Sequence, residues 1–285
     1  MSASLNNIYL SLVVATVHRT IELDLFLKSL LKIKYCSFEV IVVDQNTDNR
    51  LDEVLSPYYS RFPLKHLKLA EQNASKGRNL GATHASGSWI GFPDDDCCYT
   101  DDTIAVLKAN IEASKADVIL GAVLDFDYNP LGRFYRKKSW INLYNFNGKV
   151  NEPSMFFKRA IFRQYEGFNP DFGLGGKYFS AEGNELLVRV LKGGCKIFFN
   201  SSIKILHPNK TLTYDKGVMQ VAYLYSYGAG CLLIKQFGTW SLWYITAYVI
   251  KFFLKLIVWE PKKKQFAICA FKGLTGGIYN SLKIG

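Results

Sequence analysis

The sequence predicts an α/β protein: a Rossmann-like, mixed but mostly parallel central sheet flanked by helices, followed by a helical carboxyl-terminal extension. Three observations predict it. Dense apolar, β-branched runs at residues 8–16 (IYLSLVVAT) and 38–43 (FEVIVV) are separated by a helical pattern, the strand–helix–strand unit of a sheet buried on both faces. Each run stops at polar residues, where an open sheet presents its carboxyl edge to ligands. From residue 211 onward the composition shifts to Tyr, Trp, Leu, Ile and Lys. At 285 residues, 49% hydrophobic and 15% aromatic, the chain is long enough for one large α/β domain at 1–210 and an appendage at 211–285.

Taken in order, the first strand ends at Val17-His18-Arg19-Thr20. Thr20 is placed to cap a helix whose first turn carries Glu22 and Asp24 and whose apolar face is Leu23, Phe26, Leu27, Leu30 and Leu31. The second strand ends at Asp44-Gln45-Asn46-Thr47-Asp48, where Asp44 either accepts hydrogen bonds from a nucleobase or ribose or caps a turn. The unit lacks G-x-G-x-x-G and G-x-x-x-x-G-K-[ST], which argues against a nicotinamide dinucleotide fold and removes the P-loop. Residues 64–69 form a third strand. The stretch Asn73-Ala74-Ser75-Lys76-Gly77-Arg78-Asn79 then leads into a helix as a cradle for phosphate, with Arg78 foremost.

The stretch Gly87-Ser88-Trp89-Ile90-Gly91-Phe92-Pro93-Asp94-Asp95-Asp96-Cys97 organises the chain. A short apolar strand runs directly into three carboxylates. Three adjacent anions repel one another, so a cluster at the rim of a buried strand calls for a compensating charge, most economically a divalent cation with hard oxygen ligands. A cation held there can grip a diphosphate. The competing structural reading is a helix-capping turn, for which Thr100-Asp101-Asp102 also qualifies. The apolar run ends in acid rather than in the Gly or Asn of a simple turn.

Further along, residues 102–114 form a helix and 118–124 a strand. Residues 125–150 dissolve into a polar, aromatic and basic stretch, either a lid or a solvated basic surface. A strand at 153–157 precedes the Gly-rich Phe172-Gly173-Leu174-Gly175-Gly176. Then comes Ser180-Ala181-Glu182-Gly183-Asn184-Glu185, an acidic start to a helix at 186–191, with Glu182 and Glu185 on one face of its first turn. Strands at 196–199 and 203–206 lead to His207-Pro208.

The net charge of +11 suits nucleic acid, an anionic membrane surface or an anionic small substrate. No zinc finger, basic arm or RNA-binding aromatic signature is present, so no nucleic-acid partner is expected. Cys36, Cys97, Cys98, Cys195, Cys231 and Cys269 form no C-x-x-C pair and read as buried, reduced thiols of a cytosolic protein. Residues 1–7 are polar and lack the apolar stretch of a signal peptide.

This ordered set, with FPDDDC its most specific piece, resembles the family 2 glycosyltransferases of GT-A fold over roughly residues 8–210. The resemblance implies a metal-dependent, inverting transferase that uses Mn2+ or Mg2+ and a nucleotide-sugar donor, a UDP-sugar first. It implies that Asp44 and Gln45 meet the base and ribose, that Arg78 faces the phosphates, and that Thr16, Arg19, Asn73 and Asp95 join the donor-binding set. Asp94 and Asp96 match the DxD pair, with Asp96 the direct metal ligand and Asp94 nearer the ribose or the donor sugar. His207 matches a histidine near metal or diphosphate. Many family members carry adjacent acids at the helix start, whereas this chain has Gly183 there; the catalytic base is therefore placed on Glu182, with Glu185 in reserve.

Residues 240–259 (WSLWYITAYVIKFFLKLIVW) have the length of a membrane span. Lys251 and Lys255 continue the face of Tyr244 and Tyr248, which favours a helix lying in the headgroup region over one that crosses, and Lys262-Lys263-Lys264 adds attraction to an anionic membrane surface. The expected setting is peripheral, on the cytoplasmic face of the inner membrane, with a glycan or polyprenyl-diphosphate-linked acceptor in bacterial surface polysaccharide synthesis; a homo-oligomer stays open. Two other readings are a sugar-phosphate nucleotidyltransferase, for which the loop after the first strand lacks the Gly-rich Arg/Lys pattern, and a catalytically impaired membrane-bound assembly subunit, motivated by Gly183.

Overall fold

Strands buried on both faces are largely apolar, and the polar side chains that the first ones do bury are paired, Ser11 Oγ donating to Glu39 Oε1 at 2.7 Å. Every residue of β2 (Phe38–Asp44) and all but one of β1 (Leu10–Thr16) is buried. A computed structural model describes residues 9–34, 37–131, 138–146, 151–209, 214–237 and 240–284. The expectations for residues 1–7, Cys36 and parts of the basic stretch (132–137 and 147–150) fall outside the described residues. Between the first strands runs α1 (Ile21–Leu30), and after β2 come α2 (Asp52–Leu55), β3 (Leu64–Lys68), α3 (Ala74–Thr83), β4 (Trp89–Gly91), β5 (Cys98–Tyr99) and α4 (Thr103–Ser114). The chain continues through β6 (Val118–Leu124), β7 (Ser139–Ile141), β8 (Met155–Lys158), α5 (Arg159–Gln164), α6 (Glu182–Lys192), β9 (Ile197–Leu206), α7 (Lys216–Phe237), α8 (Trp240–Val258) and α9 (Pro261–Ile284).

The described strands form one sheet in the order β3-β2-β1-β4-β8-β6-β9-β5, with β7 on β9. Pairing is parallel from β3 through β4 and again between β6 and β9, while β8 runs antiparallel to both its neighbours. Strands β1, β2, β4, β6 and β9 therefore all point their carboxyl ends at one edge. Leu23, Phe26, Leu27 and Leu30 of α1 and Ile104 and Leu107 of α4 join one core cluster with Leu10, Leu12 and Val14. On the side of α3, Gly81 lets the helix lie against the strands: a Cβ there would run into Val13 Cγ1 and come 3.0 Å from Val43 Cγ2.

Two compact units emerge, Met1–Phe168 with Leu186–Asn209, and Asn169–Glu185 with Lys210–Gly285. In the second, α7 and α9 pack backbone to backbone where Gly230, Gly273 and Gly277 carry no side chain. Helix α8 is bound more lightly and exposes Leu242, Trp243, Ile250, Phe253, Leu254, Ile257 and Val258, each at least 55% accessible. Lys216–Phe237 and Ser241–Val258 are each long and apolar enough to cross a membrane by length and composition.

Several local expectations need correction. Thr20 holds the cap position of α1 but makes no capping bond, because its helical backbone angles (φ −112, ψ −47) turn the hydroxyl away; Asn73 before α3 is extended (φ −143, ψ 115) and does cap, accepting from Lys76 N. The runs at 196–199 and 203–206 are one strand, β9, since a bulge opposite Gly121 absorbs the polar Asn200-Ser201-Ser202 and Asn200 is satisfied by Asn110 at 2.6 Å. The helix expected at 186–191 begins at Glu182, β7 carried no expectation, and the helical extension expected over 211–285 resolves into α7, α8 and α9.

Replacing Gly81 with Ala should cost about 1–3 kcal/mol of stability, because a methyl must be fitted between helix and sheet. Urea denaturation measures it, and an unchanged midpoint would mean that α3 lifts off the strands without penalty.

Candidate active site

Register places the acidic turn. Gly91 of β4 pairs with Leu12 of β1, so the chain four residues further on draws level with Thr16, the last residue of β1. There Thr16 Oγ1 donates to Asp95 Oδ2 at 2.7 Å. Phe92, just before the turn, anchors it in a cluster of rings with Phe157, Phe162 and Phe168. The Arg19 guanidinium, from the loop after β1, reaches both Asp95 Oδ1 and Asp96 Oδ2 at 2.6 Å. Asp95 is thus a tether, and the acids on either side of it project into the site.

Strand β9 delivers the other component. His207 N donates to Leu124 O, continuing the β6–β9 ladder one step past its end, and His207 Nε2 lies 3.1 Å from Asp96 Oδ1. The ring's Nδ1 is 3.0 Å from the Pro208 carbonyl, which can only accept, so Nδ1 carries a proton and Nε2 has the free lone pair whenever the ring is neutral. From α3, Arg78 donates to Asp94 Oδ1 at 2.9 Å and lies 5.5 Å above the Phe168 ring.

The charges respond to one another. Burial opposes ionisation of Asp96, but the imidazole of His207 and the guanidinium of Arg19 outweigh it and hold the carboxyl down at about 2. Burial, aided by the neighbouring Asp94 and Asp96, pushes Asp95 up against the pull of Thr16 and Arg19. Burial works to lower His207, yet Asp96 and Asp94 raise it above 6.5.

These residues fit a divalent cation. Asp94, Asp96 and His207 each offer one ligand atom, all within 4.8 Å of one another. Asp96 Oδ1 is buried and has no aligned hydrogen-bond donor among the described residues, although it faces His207. A buried anionic oxygen without a proton donor, beside a histidine nitrogen and a second carboxylate, is the donor set of Mn2+ or Mg2+.

The remaining expected residues divide into two groups. Asp44 lies at the same edge, fully buried: Oδ1 accepts from the backbone and side-chain amides of Asn46, and Oδ2 lies 3.0 Å from His66 and 2.8 Å from Lys68. Gln45 donates to the Glu71 and Asn73 carbonyls, fixing the loop that leads into α3. Glu182 and Glu185 belong to the second unit. Gly173 there, at φ +93, leaves room for Glu182, for a Cβ would come 2.8 Å from its carboxyl carbon, and Glu185 Oε1 accepts from Gln236. The roles of Phe168, His66, Lys68 and Gln236 escaped the sequence. Gln236, 51 residues from Glu185, left no local signal; Phe168 beside Gly167 carried one in its position just before the Gly-rich stretch.

Residues 11–171, more than half of the chain, match the family model described as glycosyl transferase family 2. The chain belongs to glycosyltransferase family 2. Among curated relatives, it is 36% identical over 122 residues to an uncharacterized glycosyltransferase of Haemophilus influenzae, covering 42% of this chain and 38% of that protein. It is 26% identical over 109 residues to glycosyltransferase GlyG of Streptococcus pneumoniae, covering 37% and 36%. The matched stretch thus spans well under half the length of these relatives. Two solved structures share the fold: S. aureus TarS 1-349 in complex with UDP-GlcNAc (TM-score 0.63, 17% identity, 80% of this chain and 67% of that one) and the mannosyltransferase PcManGT from Pyrobaculum calidifontis with GDP-Man and Mn2+ (0.64, 13%, 96% and 86%).

The pairing of His207 with Asp96 makes a signed prediction for the metal-free protein. A group raised on folding contributes fully below its unfolded value, here 6.5, and that contribution is lost as pH rises through the higher folded value. His207→Gln should lower the melting temperature in EDTA most below pH 6.5, and the gap should close on the alkaline side. Asp96, depressed to about 2, loses its share only in strong acid and leaves this window untouched. An equal gap at every pH would mean that the ring stays neutral.

Proposed function

We propose that this chain transfers a sugar from a nucleotide-sugar donor to a hydroxyl of a glycan or lipid-linked glycan, with inversion, by a single in-line displacement. The observation that carries the reading is the turn in which Asp95 is tethered to Thr16 and Arg19 while Asp94, Asp96 and His207 converge. The nucleotide sugars bound in the structural neighbours, UDP-GlcNAc and GDP-Man, support a donor of that class, and a UDP-sugar is the first choice.

Asp94, Asp96 and His207 would hold Mn2+ or Mg2+, which as a Lewis acid would stabilise the charge gathering on the departing nucleoside diphosphate. Arg78, locked by Asp94 and Phe168, contributes positive charge on the donor phosphates without having to be ordered first. Asp44, with Gln45 and Asn73 shaping the adjoining loop, defines the nucleoside end. Glu182 takes the proton of the acceptor hydroxyl as the new glycosidic bond forms, with Glu185 as the alternative base. The exposed apolar face of α8, next to Lys262, Lys263 and Lys264, suits in-plane attachment to an anionic bilayer, the cytoplasmic face of the inner membrane being the setting that would meet a polyprenyl-diphosphate-linked acceptor of surface polysaccharide synthesis.

Incubation with Mn2+ and a panel of sugar nucleotides, followed by assay of nucleoside diphosphate, tests the reading. Release with one donor is expected; pyrophosphate exchange instead would mark a nucleotidyltransferase, and binding without turnover a non-catalytic subunit. Asp96→Ala should stay folded and lose metal-dependent turnover. Glu182→Gln should keep donor affinity and lose roughly 10²–10⁴-fold in transfer, the usual contribution of a general base; a near-parental rate would move that role to Glu185.

Co-flotation with phosphatidylglycerol vesicles should be strong for the parent and weak for Trp243→Glu with Ile257→Glu. Equal flotation of the two proteins would remove α8 from the membrane.

A further inference from the structure

Within the first unit, an open cleft of about 800 Å³ lies beside the acidic turn and is not used by the chemistry above. Lys28 of α1, Lys32 from the turn just after it, Lys204 of β9, and Phe126 and Tyr128 from the turn after β6 line it. Lys28 is committed to Asp24 at 2.5 Å, but Lys32 and Lys204 make no ion pair among the described residues. Asp101 and Asp102 also reach the rim, so the cleft has a cationic side and an acidic one.

The aromatic side is built. Phe126 and Tyr128 are 51% and 55% exposed, yet their loop is held by buried Asp125, which accepts from the amides of Asp127 (3.0 Å) and Asn129 (2.8 Å) and from the Asn129 side chain. Tyr128 is kept at φ +63, a left-handed conformation that is strained for a tyrosine. Lys204 Nζ stands 5.9 Å from its ring centroid. A fixed aromatic face, beside ammonium groups that have no carboxylate partner among the described residues, complements a pyranose that carries an acid: the ring takes the sugar's C–H face and the lysines take the charge.

The position is specific as well. Cys98 and Leu206, which line the cleft, are ladder partners; Asp96 lies two residues before the first and His207 directly follows the second. We propose that this cleft binds an anionic carbohydrate, a sugar bearing a phosphate or a carboxylate, and that it holds such a unit of the acceptor. Its assignment to the acceptor rests on the glycosyl-transfer reading, whereas the binding itself does not.

The test uses the full chain without donor or metal, titrated calorimetrically with glucose 6-phosphate, glucuronate and glucose. One or both acids should bind and neutral glucose should bind about tenfold more weakly, as expected when a charge-assisted bond is lost. Lys32→Ala with Lys204→Ala, and separately Tyr128→Ala, should weaken the acid about tenfold, Tyr128→Phe should restore it, and Arg78→Ala should leave it unchanged. The better acid names the acidic group, phosphate or carboxylate. Loss through Arg78→Ala with the cleft variants unaffected would assign the binding to the donor phosphate site and overturn the proposal, as would equal affinity for glucose or no binding of either acid. Cleft-dependent binding in a protein that turns over no sugar nucleotide would keep the cleft and end the transferase reading instead.

Discussion

The hydrogen bond from Thr16 to Asp95 is the constraint on which the site depends. It ties the carboxyl tip of the first strand to the middle of an acidic turn 79 residues later, and Arg19 closes the same carboxylate from the other side. With the central acid immobilised, its two neighbours are set on opposite arms, one toward Arg78 and one toward His207. Three carboxylates in a row are tolerable because each has a different cationic or hydroxyl partner, and because the one with an unsatisfied oxygen is also the one flanked by a histidine and an arginine.

Much of this was legible in the sequence because it depends on short-range chemistry. Residues 8–16, 38–43 and 118–124 announced themselves as strands through dense apolar, β-branched character, and the strand-to-acid junction at Gly91–Asp96 pointed to the sheet edge. Thr20 misled for the opposite reason: capping needs a backbone conformation as well as a residue type, and Thr20 makes no capping bond. The polar Asn200-Ser201-Ser202 looked like a strand break because burial of Asn200 against Asn110 is a tertiary fact, made 90 residues away.

Asp44 shows how far residue type alone carries. A strand-terminal aspartate reads equally as a ligand contact or as a structural anchor, and in the fold it has four nitrogen neighbours, among them His66 and Lys68 from the adjacent strand. Those two lie on β3, whose Leu-Lys-His-Leu-Lys sequence gave a short strand and no hint of the pairing. Likewise Gly173 could be noted as part of a Gly-rich run, but only the geometry shows that its missing side chain is the space beside the Glu182 carboxyl.

The outward side of α8 is greasy along most of its length while α7 and α9 are joined through their backbones. In plain buffer such a helix is driven to cover itself with whatever is at hand, including another molecule of the same kind. A dimer observed by sizing or light scattering without detergent would therefore report the solvent's dislike of Trp243 and Ile257 rather than a designed assembly. The stoichiometry that matters is the one measured with micelles or lipid nanodiscs on offer.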